Sequence, residues 1–158
     1  MNDLQKESYE QGSRRLNEEL LSVGPDELAD FLKQHSEALI TSPHPFTDYM
    51  RKKFREKGVL QQNVFLAADL SESYGYKLIA EEKHTRRRDT ILRLCFAAGF
   101  GPQELREALI LYGMAPLHAR FPRDAVLLVA AQCGLHELRE LNRLLERCGQ
   151  APLVKDYE

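Results

Sequence analysis

The chain has 158 residues, 43% hydrophobic and 29% charged, with a formal net charge of −2. That is the length of one domain, or of one domain with appended helices, and it supplies enough apolar side chains for a core. No apolar run approaches 18 residues, which excludes a membrane-spanning helix, and the start "MNDLQKESYEQG" has no apolar stretch of the signal-peptide kind, so a cytoplasmic location is expected. Long helical periodicities with few β-branched runs and sparse proline and glycine point to an all-α fold.

In chain order, residues 4–22 suit an amphipathic helix that Gly12 weakens. Gly24 ends it and Pro25 is expected to open the next in its first turn, with Leu28, Phe31, Leu32 and Leu39 on one apolar side. "TSPHP", residues 41–45, is a breaker and marks a boundary. It separates an N-terminal helical segment, 1–44, from a central domain, 45–117, followed by a C-terminal helical hairpin, 118–158. The central domain opens with "FTDYMRKKFREKG": Thr47 or Asp48 is placed to cap, Phe46, Tyr49, Met50 and Phe54 face inward, and Gly58 stops the helix. Its basic run "RKKFREK" reads most simply as the wet face of that helix.

Two short helices follow, Asn63–Ala68 and Glu72–Ala80, joined by a turn at Asp69–Leu70, with Ser71 as N-cap of the second. "RRRDTILRLCFAAG" is a helix buried through Ile91, Leu92, Leu94, Cys95 and Ala98, and "GPQELREALILYG" runs from Pro102 to Gly113. The remainder repeats these two: "RDTILRLCFAAGF" (88–100) matches "RDAVLLVAAQCGL" (123–135), and "ELREALILYGMAPL" (104–117) matches "ELNRLLERCGQAPL" (140–153). Each unit is an apolar helix, a glycine, an amphipathic helix and G-x-A-P-L, so two helical hairpins are expected, the second stacked on the first.

Charge is uneven. Residues 1–44 carry four basic and nine acidic residues, 45–93 carry eleven and seven, and 94–158 carry seven and eight. A basic middle between acidic ends suits an anionic partner such as nucleic acid. Cys95, Cys133 and Cys148 form no CxxC pair, and each lies in an apolar helical pattern, which reads as three buried thiols. The five histidines do not fall at metal-ligand spacings, Cys133 and His136 at i, i+3 are interrupted by a glycine, and no GxSxG or glycine-rich phosphate loop occurs. The expectation is a non-enzyme with no cofactor and no metal.

A helix, a tight turn and a second helix with a polar front form the arrangement that reads DNA. The segment from about Phe46 to Gly113, centred on "QQNVFLAADLSESYGYKLIAEEKHTRRRDTILRLCFAAGF" (61–100), resembles the lambda-repressor-like (Cro/repressor type) helix-turn-helix family. Leu70 and Ser71 match the residues after the turn, Leu78 the buried aliphatic late in the second helix, and Ile91–Ala98 the apolar fourth helix. More narrowly, "YGMAPL…RDA" resembles bacterial helix-turn-helix proteins with an extra C-terminal hairpin. The resemblance implies a five-helix bundle acting as a DNA-binding transcriptional regulator, usually dimeric. Carried over by position, Ser71, Glu72, Ser73, Tyr76 and Lys77 would face the major groove, Gln62 would donate to a phosphate, and Lys83, His84, Arg86, Arg87 and Arg88 would supply backbone charge.

Three positions depart from the family pattern. Phe65 stands where alanine is usual, Asp69 where the turn usually has glycine, and Gly75 where an aliphatic is usual. Phe65 and Gly75 are expected to meet face to face, as a size swap that conserves volume. Glu72, Glu81 and Glu82 are unfavourable near phosphates and support a second reading, a non-catalytic protein-interaction module such as an adaptor, antitoxin or inhibitor. The plain alternative for Arg86–Arg88 is a solvated loop whose arginines pair with Glu81, Glu82 and Asp89.

Overall fold

A computed structural model describes residues 13–155, and among these every regular element is a helix. The chain divides into two compact units, Met1–Pro43 and His44–Glu158. In the first, residues 13–20 are helical (α1); of the expected first helix, residues 4–12 lie outside the described residues, and residues 21–22 form a turn instead. Helix α2, Leu28–Gln34, starts later than the proline suggested. Residues 24–27 close on themselves instead: the Glu27 N–H donates to the Gly24 carbonyl at 3.0 Å, and the Gly24 N–H donates to the Glu27 carboxylate at 3.2 Å. Leu39 falls beyond the helix, after a turn closed by the Ala38 N–H on the His35 carbonyl. Of the expected apolar side Phe31 is buried, while Leu28 and Leu32 are exposed.

The second unit contains α3 (Pro45–Lys57), α4 (Gln61–Ala67), α5 (Glu72–Ile79), α6 (Arg88–Ala97), α7 (Pro102–Leu111), α8 (Pro122–Gln132) and α9 (Leu138–Arg147). Phe46, Met50 and Phe54 recur at helical spacing on α3 and are buried with Phe65, Phe96 and Phe100. Neither Thr47 nor Asp48 is the N-cap of α3; His44 holds that position. The Thr47 hydroxyl lies 2.7 Å from the Ile79 carbonyl and 2.8 Å from the Glu81 carboxylate, and Glu81 also accepts from the Thr47 N–H at 3.4 Å. Glu81, in the left-handed region at φ 58°, is thus an acid at a helix N-terminus, where the helix dipole favours it. The α3 basic run is not wholly wet: Lys53 is buried, donating to Glu56 at 2.8 Å, and that contact lowers the Glu56 pKa.

The last four helices carry the repeat into three dimensions. α6 packs on α7 and α8 on α9 within each hairpin, and the hairpins then pair crosswise, α6 with α9 and α7 with α8. The second hairpin is therefore turned about rather than added as the next layer of a stack. The reason is visible in the repeated Arg-Asp pair. Arg88 of the first unit forks onto Asp124 of the second, one arm at 3.1 Å, and Arg123 of the second forks onto Asp89 of the first at 2.8 Å for both arms. Each aspartate also accepts a backbone N–H: that of Val154, after the second A-P-L, on Asp89 at 3.1 Å, and that of His118, after the first, on Asp124 at 3.0 Å. Each arginine additionally reaches the alanine carbonyl of its own A-P-L, Ala115 at 3.5 Å and Ala151 at 2.9 Å. Each of these contacts has its counterpart with the repeats exchanged, the pattern of an approximate twofold, and Arg123 adds a bond to the Pro152 carbonyl at 3.0 Å. Asp89 and Asp124 are buried, so truncating either leaves a fork without its acceptor. Asp89→Ala is expected to cost about 2–4 kcal/mol, well above a surface pair. Asp124→Ala should cost a similar amount, and urea unfolding of the two variants checks the equality that twofold reciprocity requires.

One expectation fails for the thiols. Cys95 is buried, and burial pushes its pKa far up, but Cys133 and Cys148 are exposed. Both occupy C-cap positions, of α8 and α9, where the chain leaves the helix. The apolar pattern around them belongs to neighbouring positions.

Candidate nucleic-acid interface

Helices α4 and α5 form the helix-turn-helix pair, each packed on the other, with α4 resting on α6 and α5 on α3. The turn is short because Asp69 takes a left-handed conformation, φ 55°, which carries the backbone round in one residue. The Leu70 N–H then bonds the Phe65 carbonyl at 2.9 Å. Ser71 caps α5, its hydroxyl accepting from the Tyr74 N–H at 3.3 Å. At the crossing point, Gly75 lies on the Phe65 ring. A Cβ added there would overlap the ring, with even the farther Cδ2 at 2.8 Å. The paired size swap is thus present as a contact: the ring of α4 fills the space a side chain on α5 would take.

Asp69 stands where glycine is easier because tertiary contacts hold it. Arg93, from α6, donates to the Ala68 carbonyl at 2.9 Å, to the Leu153 carbonyl at 2.9 Å and to the Asp69 carboxylate at 3.4 Å. Lys155 donates to the Asp69 carbonyl at 2.8 Å. One buried guanidinium ties the helix-turn-helix turn to the tail of the second hairpin. Burial lowers the Arg93 pKa, and the nearby Asp69 and Asp89 charges oppose that shift.

The front of α5 is open. Ser71, Glu72, Ser73 and Lys77 are exposed, and Tyr76 is 41% exposed with its ring edge-on to Phe65, centroids 5.0 Å apart. Leu78 and Ile79 are buried beneath them. Gln62 is exposed, but its amide donates to the Glu72 carboxylate at 2.7 Å, so the side chain expected to meet a phosphate is engaged by the first residue of α5. Lys83 is exposed with its ammonium 5.4 Å from the centre of the Tyr74 ring, and Tyr74 is half-buried against the core. His84 is exposed and stacks on Tyr112 at 4.6 Å. Arg86 and Arg87 are exposed. Arg88 is set apart from them, half-buried and engaged in the Asp124 fork, because the twofold clasp takes both its arms. The pairings foreseen for a solvated loop do not occur for Arg88 and Asp89, whose partners come from the second repeat.

The structure brings together Ser71, Glu72, Ser73, Tyr76 and Lys77 on one front, with Lys83, Arg86 and Arg87 on the segment after α5, and leaves Arg88 out. Sequence reasoning missed Arg93 and the Arg123–Asp89 pair, which support the motif from behind. The repeated Arg-Asp dipeptide was the signal for the second of these. Among the described residues no group of three or more His, Cys, Asp and Glu side chains is placed to hold a metal ion, and no helix is long and apolar enough to cross a membrane. Comparison with protein families, curated proteins and solved structures returns no match.

Proposed function

We propose that the chain is a DNA-binding regulator that lays α5 in the major groove, with α3–α7 as its helix-turn-helix bundle. The observation that carries this reading is the exposed polar front of a serine-capped helix, packed through the close Phe65–Gly75 contact and followed in the chain by exposed Lys83, Arg86 and Arg87. Ser73, Tyr76 and Lys77 take the base-edge role, Lys77 towards guanine. Lys83, Arg86 and Arg87 meet phosphates and set the register. Glu72, held by Gln62, offers an acceptor suited to the amino group of cytosine. The Glu81 carboxylate is held at the start of α3, where it accepts from the Thr47 N–H and hydroxyl.

Binding to a mixed-sequence duplex, followed by fluorescence anisotropy over a salt series, tests the reading. Phosphate contacts release counterions, so affinity is expected to fall steeply with salt, and Arg86→Ala should reduce the slope by about one. Absence of binding at low salt would remove the DNA reading and leave the protein-interaction module. One feature favours that second reading: Leu60 and Leu66 at the two ends of α4 are 66% and 79% exposed, apolar side chains beside the acidic start of α5.

A further inference from the structure

His136 lies in the connection between α8 and α9, where the two hairpins meet. Its ring sits against the turn glycine of each: a carbon added at Gly99 would lie 4.0 Å from its Cδ2 atom, and one added at Gly134 would lie 3.9 Å from its Nε2 atom. These glycines hold the same place in the two repeats. The ring therefore fills the space between the turn of the first hairpin and the turn of the second. Its Nδ1 atom is sealed from water and meets no hydrogen-bond partner among the described residues.

The charged groups around this ring come from several elements. Glu104, the third residue of α7, is buried, and the ammonium of Lys57, the last residue of α3, lies 3.0 Å from its Oε2 atom. That ammonium is also 5.7 Å from the centre of the Phe100 ring, beside the first hairpin's turn. Cys95 of α6 adds no second anion, because burial, with the Glu104 charge behind it, pushes its thiol pKa far up. Glu137, next to His136 in the chain, turns its carboxylate to the N–H groups of Arg139 and Glu140 at the start of α9, 3.0 Å for each. The neighbourhood thus holds one available carboxylate, and Lys57 already neutralises it. A proton on His136 makes two cations share one buried anion. Burial and then Lys57 disfavour that second cation, and they lower the His136 pKa against the opposing pull of Glu104.

We propose that His136 is an acid-sensitive pin between the two hairpins: neutral, it fills the space between their turns, and protonated, it loosens the second hairpin from the first. A histidine whose folded-state pKa is depressed takes up its proton more readily in the opened chain. Its contribution to stability is complete above the ordinary value of 6.5 and is lost as pH falls below 6.5 through the folded value. The second hairpin ends in the tail that Arg93 ties to the turn before α5, so mild acid acts on that turn from a distance. The inference rests on His136 and its neighbours and stands whether or not α5 binds DNA.

Urea unfolding of the full chain at about pH 7.5 and about pH 5.5, without nucleic acid, tests it against His136→Gln, whose amide takes up no proton in this range. The wild type is expected to lose more stability on acidification than His136→Gln does; the other four histidines are common to both and cancel. Amide exchange at Leu135 and Leu153, corrected for its intrinsic pH dependence, should quicken severalfold in the wild type and stay level in His136→Gln. Proton NMR of the wild-type His136 ring should titrate below 6.5, and Lys57→Met, which removes the competing cation, should raise that midpoint. Equal acid losses in the wild type and His136→Gln overturn the proposal. So does a wild-type midpoint at or above 6.5, a reading that needs no variant to fold.

Discussion

Gly75→Val is expected to lower stability by about 3 kcal/mol, or roughly 10 °C in melting temperature, although it replaces glycine in the middle of a helix. Propensity alone predicts the opposite. An alanine in place of a helical glycine gains about 1 kcal/mol, and even the first carbon of that side chain has nowhere to go. A Cβ at position 75 meets the Phe65 ring, and Phe65 is itself 1% exposed, walled in by the core of α3, α4 and α6. Overlap therefore wins over propensity, and Gly75→Ala should also destabilise. Shrinking the ring gives the decisive comparison. Phe65→Ala alone leaves a cavity, at about 3–5 kcal/mol, but Phe65→Ala/Gly75→Val should be less damaged than the sum, with a coupling of about 2 kcal/mol. A Gly75→Val protein melting with the wild type would mean that ring and glycine do not confine each other.

Arg93→Met is expected to cost about 3–5 kcal/mol, read as a lower urea midpoint with an unchanged slope. The size follows from which of its contacts is expensive. The Asp69 carboxylate is mostly in water, and its 3.4 Å pairing with Arg93 is worth little. The Ala68 and Leu153 carbonyls matter more, because a buried acceptor left without its donor costs about 1–3 kcal/mol each. Methionine keeps most of the volume and restores neither bond. Lysine should recover only part of the loss, since a single ammonium does not fork to two carbonyls on different segments. The same change frees the helix-turn-helix turn and the C-terminal tail together, so hydrogen exchange should quicken at Leu70 and at Leu153. A midpoint within error of wild type would show that Arg93 is not the tie between them.

The two variants also separate a motif's presence from its support. Phe65–Gly75 lies inside the helix-turn-helix, whereas Arg93 acts from α6 with the tail of the second hairpin as its other anchor. The second hairpin is thus part of what holds the turn before α5, in addition to covering apolar surface.

Local chemistry alone determined much of this. Ser71 before a helical pattern, and Gly58, Gly99, Gly113, Gly134 and Gly149 after one, each act over a few residues, and each lies where it was expected, with all five glycines at positive φ. The recurrence of "RD", glycine and "APL" was equally legible, because a repeat is a property of the string. What was not legible was the partner of each polar group. Pro25 did not open a helix, because Glu27 closed a competing turn. Arg88 read as one of three loop cations until the twofold pairing of hairpins put Asp124 in its path. Cys133 and Cys148 read as core thiols because periodicity says which positions share a face, not which face is covered. Burial and charge pairing depend on segments far apart in the chain, as with Asp89 and Val154. They are fixed only when the helices pack.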